Sequence, residues 1–199
     1  MNNKAIRNIG VFIFIVIFSG WLGVVLDSFL TGQPEGDSLG MGVWLVLPLL
    51  TAFIIILFSK DSYKDLGLKL NYKGNIKWYL ASVLIFPVVT AIVLIVGALM
   101  NWIDLSAFNF KAVILGFGSA LLINFIIDIF EEIAWRGYLT SQLVKFNLSD
   151  WKIYLIVGCV WTLWHVPYYL VFLPEADLQA VMPVSRATYV LVSFITLLS

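Results

Sequence analysis

Runs of about 20 consecutive apolar residues recur along this chain with short polar loops between them, and no other feature restricts its fold as strongly. An α-helix climbs about 1.5 Å per residue, so a run of that length crosses a hydrocarbon layer about 30 Å thick. Hydrocarbon offers backbone N–H and C=O groups no partner, so each run satisfies its own as a helix. The runs fall at about 9–30, 41–59, 78–102, 111–136 continuing to 145, 153–173 and 186–199. The expected fold is therefore all-α, a polytopic transmembrane helical bundle of about six spans, taken as one domain over 1–199. Composition agrees: 61% of residues are hydrophobic and 12% charged, against about half and about a quarter in soluble domains.

The first run follows Lys4 and Arg7 but exceeds the roughly 7–15 residues of a secretory h-region and lacks an A-x-A cleavage site, so it reads as a retained span. Pro87 is expected to kink the third run. The sixth run holds about 14 residues, roughly 21 Å of rise, and reads as a truncated span.

Charge placement sets the sidedness. Lys4 and Arg7 precede the first run, Lys60, Lys64, Lys69, Lys73 and Lys77 separate the second from the third, and Lys145 and Lys152 separate the fourth from the fifth. The alternate loops carry Glu35, Asp37, Asp104, Glu175 and Asp177. Basic loops stay in the cytoplasm, so the expectation is a multi-pass protein of the cell membrane with a cytoplasmic N-terminus and the lipid bilayer as its first partner. With 12 basic and 12 acidic residues the net charge is zero, and nothing points to a nucleic-acid partner. The sole cysteine, Cys159, reads as a small buried hydrophobe, and the sole histidine, His165, excludes any site needing two from this chain. The eight tryptophans and eight tyrosines read as interface anchors and helix packing. Oligomeric state leaves no mark on the sequence.

In FIIDIFEEIAWRGYL, three carboxylates and an arginine interrupt an otherwise lipid-compatible helix. A charge at mid-membrane costs about 2.5–3.5 kcal/mol even on insertion scales, so such residues face polar cavities and carry function. Asp128, Glu132 and Arg136 follow one another at i+4, and Glu132 before Arg136 is the favourable order for an ion pair. Glu131 lies about 100° around the helix from Glu132, outside that pairing, and is the candidate general base. The alternative is an interhelical lock of Glu132 and Arg136 with Glu131 reaching water.

In VGCVWTLWHVPYYLVF, Trp161 and His165 share a face one turn apart, with Pro167 just beyond. A lone membrane histidine can simply hydrogen-bond a backbone carbonyl. Depth offers a second reading. Glu132 and His165 each lie 13 residues from the ends of the turn between Lys145 and Lys152, at roughly 20 Å of helix rise, so the two are expected to face each other. Carboxylates and an imidazole at one level suit activation of a water and stabilisation of the oxyanion formed when it attacks a carbonyl.

Together the two segments resemble the signature of the CPBP family of intramembrane proteases, also called the Abi or type II CAAX prenyl endopeptidase family. Glu131, Glu132 and Arg136 match its Glu-Glu-x-x-x-Arg motif, in a form common in one bacterial branch, and Trp161 with His165 matches its Phe/Trp-x-x-x-His motif. The family's later His-x-x-x-Asn/Asp motif has no counterpart, since no second histidine is present. The resemblance covers the fourth to sixth spans and implies that Glu131 activates water, that Glu132 and Arg136 order the site, and that His165 assists at the water or the oxyanion, with Asp128 and Trp161 in support. It implies a membrane-associated peptide or a prenylated protein as substrate. The family is often labelled metalloprotease, but His165 and Glu131 fall short of the three or four ligands zinc usually takes, so no cofactor is required on this reading, and a metal-dependent site at Glu131 and His165 stays open as the alternative. Two other functions stay open: a non-catalytic protein of this fold acting in bacteriocin self-immunity or as a scaffold, and a proton-coupled transporter using Asp128, Glu131 and His165 as a relay. The absence of internal repeats weighs against the transporter.

Overall fold

A computed structural model describes residues 3–34, 36–59, 63–69, 71–106 and 108–198; Glu35, Lys60 and Ser199, all used in the readings above, lie outside them. Every regular element among the described residues is helical: α1 (Asn3–Ser28), α2 (Leu39–Phe58), a 3-10 turn (Tyr63–Leu66), α3 (Ile76–Leu99), α4 (Phe110–Val144), α5 (Asp150–Phe172), α6 (Glu175–Val181) and α7 (Arg186–Leu198). The first five long helices, α1 to α5, are each long and apolar enough to cross a membrane. A sixth crossing arises only if α6 and α7, bent by 58° at the break between them, count as one. The chain is thus an all-α, multi-pass membrane protein. The sixth span differs from the single run expected over 186–199, because Glu175 and Asp177 favour a new helix N-terminus and Pro183 then interrupts it.

The chain divides into two compact units, residues 69–124 and residues 1–68 together with 125–199. In the first, α3 runs unbroken through Pro87. Its C-terminus turns sharply at Asn101, in the left-handed region at φ 57°, and the amides of Trp102 and Ile103 return to the carbonyl of Gly97 at 2.8 and 3.1 Å. A Cβ on Gly97 would overlap the Ile103 side chain that this turn folds back.

The second unit holds the core and every candidate residue. Here α1 packs along α2 and against α5. Closest approach is at Gly23 and Gly40, where a Cβ on either would strike the other's backbone. Asp27, near the end of α1, accepts the Gly40 amide at 2.8 Å, and the Ser38 hydroxyl accepts that of Met41 at 3.1 Å, so two of the unpaired donors opening α2 are satisfied. Phe12, Val16, Trp44, Ala52, Ile56, Trp135, Tyr138, Leu139 and Trp164 are buried between these helices. The tryptophans at 44, 135 and 164 therefore serve helix packing and not the membrane interface.

Neither α4 nor α5 is a plain α-helix. In α4 the α-helical segment Phe110–Glu132 widens into a π-helix at Ile133–Thr140 before the final turn Ser141–Val144, and α5 widens likewise at Tyr168–Phe172 after Asp150–Pro167. Such widened turns recur at functional sites. The first begins directly after Glu132 and the second three residues after His165.

Candidate active site

Both motifs fall where α4 and α5 run side by side, and Trp161 joins them. Its indole Nε1 donates to Glu131 Oε2 at 3.0 Å across the two helices. Its backbone carbonyl receives Nδ1 of His165 at 2.9 Å. A carbonyl can only accept, so Nδ1 carries a proton, and in the neutral form of the ring the lone pair is then on Nε2. The simple reading of a membrane histidine, a bond to a backbone carbonyl, thus holds for one ring nitrogen and leaves the other open.

Glu132 accepts from Arg136 Nη1 at 2.7 Å, the i+4 pair expected from spacing. The guanidinium lies over the Trp161 ring, 5.7 Å from its centroid, so the arginine braces the same tryptophan that holds Glu131. The two carboxylates therefore differ in environment: Glu132 is paired with a cation, while Glu131 is half-buried and held by a neutral donor. Asp128 lies one turn before Glu131, on an exposed face, and adds negative charge close to it.

Glu132 and His165 are expected at one level to within a turn of helix, and the bond that crosses the helices joins residues within that range, Glu131 and Trp161. Glu132 turns to Arg136, and it is Glu131 that crosses to α5, reaching Trp161, one turn nearer the connecting loop than His165. The π-helix at Ile133–Thr140 widens the coil and climbs less per residue, which brings the carboxylates of α4 nearer the connecting loop than a count at α-helical rise. The widening shows in the bond from the Thr140 hydroxyl to the carbonyl of Trp135, five residues back, at 2.8 Å.

His165 is 9% exposed and sits in an aromatic cage. Tyr169 stacks on it at 5.6 Å and 20°, while Trp161 and Trp164 meet it edge-on at 5.1 and 4.6 Å. The Tyr169 hydroxyl shares a hydrogen bond with Ser193 of α7. Arg186, opening α7, donates to the carbonyls of Tyr169 and Leu173 at 3.1 and 2.8 Å and pairs with Glu175 at 3.1 Å, capping the end of α5. Sequence reasoning missed Tyr169, although its i+4 spacing from His165 was the available signal, and it missed Trp44 of α2, which reaches the cage from another span.

A groove of about 410 Å³ runs between the widened turn of α4 and the first half of α5, from Trp161 and Arg136 at one end to Asp150 at the other. Its walls are mostly apolar. As for zinc, no three His, Cys, Asp or Glu side chains are grouped to hold a metal among the described residues. Glu131 and His165 offer two donors at most, and the set does not fit the usual site.

Residues 113–198, which contain both motifs and the whole α5 cage, match the family model for type II CAAX prenyl endopeptidase Rce1-like proteins. Over this segment the chain is similar to Rce1-like CAAX proteases. Comparisons with curated proteins and with solved structures return no match. The Rce1-like match begins within α4 and extends through α7, so it spans Glu131, Glu132, Arg136, Trp161 and His165. A membrane-embedded protease family is in keeping with a lipid bilayer and with peptide or lipidated substrates in general.

Proposed function

We propose that the protein is an intramembrane endopeptidase in which Glu131 activates a water to cut a membrane-associated peptide or a lipidated protein. The observation that carries this reading is the junction at Trp161, where a half-buried carboxylate and the protonated face of an imidazole are fixed by one residue. Glu131 takes a proton from water as the oxygen attacks the scissile carbonyl carbon. The same carboxyl then gives that proton to the leaving nitrogen as the C–N bond breaks, so no net proton is consumed within the step. With Nδ1 protonated, Nε2 of neutral His165 accepts from the attacking water and orients it. This favours the water-side role over donation to the oxyanion. Glu132 holds Arg136 over Trp161, and the cation favours the negative charge that develops nearby. The reaction needs no metal on this reading. On this reading the N-terminus and the α4–α5 loop that the groove approaches lie on the cytoplasmic side of the membrane, an orientation that the lysine-rich loops support.

The test is cleavage of quenched-fluorescent, membrane-anchored peptides, with and without an attached isoprenoid, by the purified protein in liposomes. Glu131→Gln is expected to abolish cleavage, and a chelator is expected to leave the wild-type rate unchanged. Wild-type cleavage that survives Glu131→Gln, or that a chelator stops, contradicts the mechanism. A second reading, a non-catalytic membrane protein acting in bacteriocin self-immunity or as a scaffold, is favoured by one observation: residues 1–199 hold a single histidine where the family signature uses two. Folded protein that cuts none of the peptides, yet confers immunity undiminished by Glu131→Gln, would establish that reading.

A further inference from the structure

Pro48 has no N–H, so the carbonyl four residues before it in α2, that of Trp44, has no helical donor. In α5 the amide of Tyr168 bonds the carbonyl of His165 in place of that of Trp164. The two carbonyls are served by each other's side chains: Trp44 Nε1 donates to Trp164 O at 2.9 Å, and Trp164 Nε1 donates to Trp44 O at 3.3 Å. The indoles stack at 4.3 Å and 16°, and Trp44 also stacks on Tyr168 at 4.9 Å, filling the space between residues one turn apart on α5. Both tryptophans are buried, at 5% and 0% exposed. Gly20 leaves room for the arrangement, since a Cβ there would strike Pro167 and the Trp44 ring.

The Trp164 carbonyl belongs to the same planar peptide unit as the amide nitrogen of His165. A hydrogen bond to that oxygen therefore fixes the plane from which the imidazole hangs. Trp44 also meets the imidazole edge-on at 5.9 Å. We propose that Trp44, from the second span, is a positioning residue for His165, locking through its reciprocal bond with Trp164 the peptide plane and ring orientation that keep Nδ1 on the Trp161 carbonyl and Nε2 open. The catalytic consequence rests on the protease reading above; the positioning itself does not.

His165 is the sole histidine, so protein made with 15N-labelled histidine gives ring-nitrogen NMR signals from that residue alone. The wild type is expected to show one set, with Nδ1 protonated and Nε2 bare. Trp44→Phe keeps a stacking ring and removes the donor, and it is expected to give mixed tautomers. Under the protease reading it also lowers kcat roughly tenfold, the effect of about one lost hydrogen bond, with KM nearly unchanged. Ile56→Ala, about three turns further along the same helix, lowers the melting temperature and leaves the histidine signals as in the wild type. Should Trp44→Phe fail to fold, benzothienylalanine at position 44 keeps both rings and lacks only the N–H. Wild-type tautomer signals in the donor-less variant overturn the proposal, as does an equal disturbance by Ile56→Ala. If no peptide is ever cleaved, the protease reading falls while the NMR comparison still decides the role of Trp44.

Discussion

Trp161 and Glu131 are joined across two spans by a 3.0 Å hydrogen bond from indole to carboxylate. The bond fixes the carboxylate without neutralising it, which an arginine in the same place would not do. Trp161→Phe keeps the ring beneath Arg136 and removes the donor. A half-buried carboxylate left short of a partner costs about 1–3 kcal/mol, so kcat is expected to fall about ten- to a hundredfold. Steady-state kinetics on a membrane-anchored peptide checks it, and a change confined to KM would contradict it.

The Glu132–Arg136 pair separates stability from activity. Both side chains are more than half exposed, at 55% and 57%, so their coupling is expected to contribute less than about 1 kcal/mol to stability. Glu132→Gln and Arg136→Gln, singly and together, should shift unfolding little in a double-mutant cycle. Each should nonetheless slow cleavage at least about tenfold, because the guanidinium no longer braces Trp161 and its charge is lost or displaced.

Asp27 closes the start of α2 at the opposite end of the bundle from the α4–α5 loop. Removing its bond to Gly40 with Asp27→Ala is expected to lower stability by about 1 kcal/mol, in the range of a lost helix cap. Thermal unfolding in detergent measures this. Activity well below the melting temperature should match the wild type, and a selective loss of kcat would mean that α2 is held more loosely than this core implies.

Gly20→Ala places a methyl group against Pro167 and Trp44. Neither neighbour is the free end of a flexible chain, so overpacking of about 1–3 kcal/mol is expected. Gly10, where a Cβ meets nothing, is the control: Gly10→Ala should be neutral or slightly stabilising.

Much of this was legible in the residues. Run length gave an all-α chain of five to six candidate membrane crossings, because an apolar helix in lipid has to match a fixed thickness. Helical spacing gave the Glu132–Arg136 pair, and the two motifs marked the helices that the Trp161–Glu131 bond joins. The pairing of Glu131 with Trp161 was not legible, because it depends on a π-helix that no apolar period records. Nor was the contribution of Trp44, since a tryptophan in a membrane segment reads equally well as an interface anchor. Pro48 was the available signal there, announcing a Trp44 carbonyl without a helical donor, but the sequence does not say which distant donor answers it.

The crossed indole bonds link residues 120 positions apart. During synthesis the second span enters the bilayer while the fifth is still to be translated, so the Trp44 carbonyl begins life beside Pro48 with its eventual donor not yet made. Water or a neighbouring polar group has to serve in the interim, and the arrival of Trp164 displaces it. Insertion of the fifth span thereby completes the second, and a nascent chain stalled before residue 164 carries a Trp44 carbonyl without its indole donor.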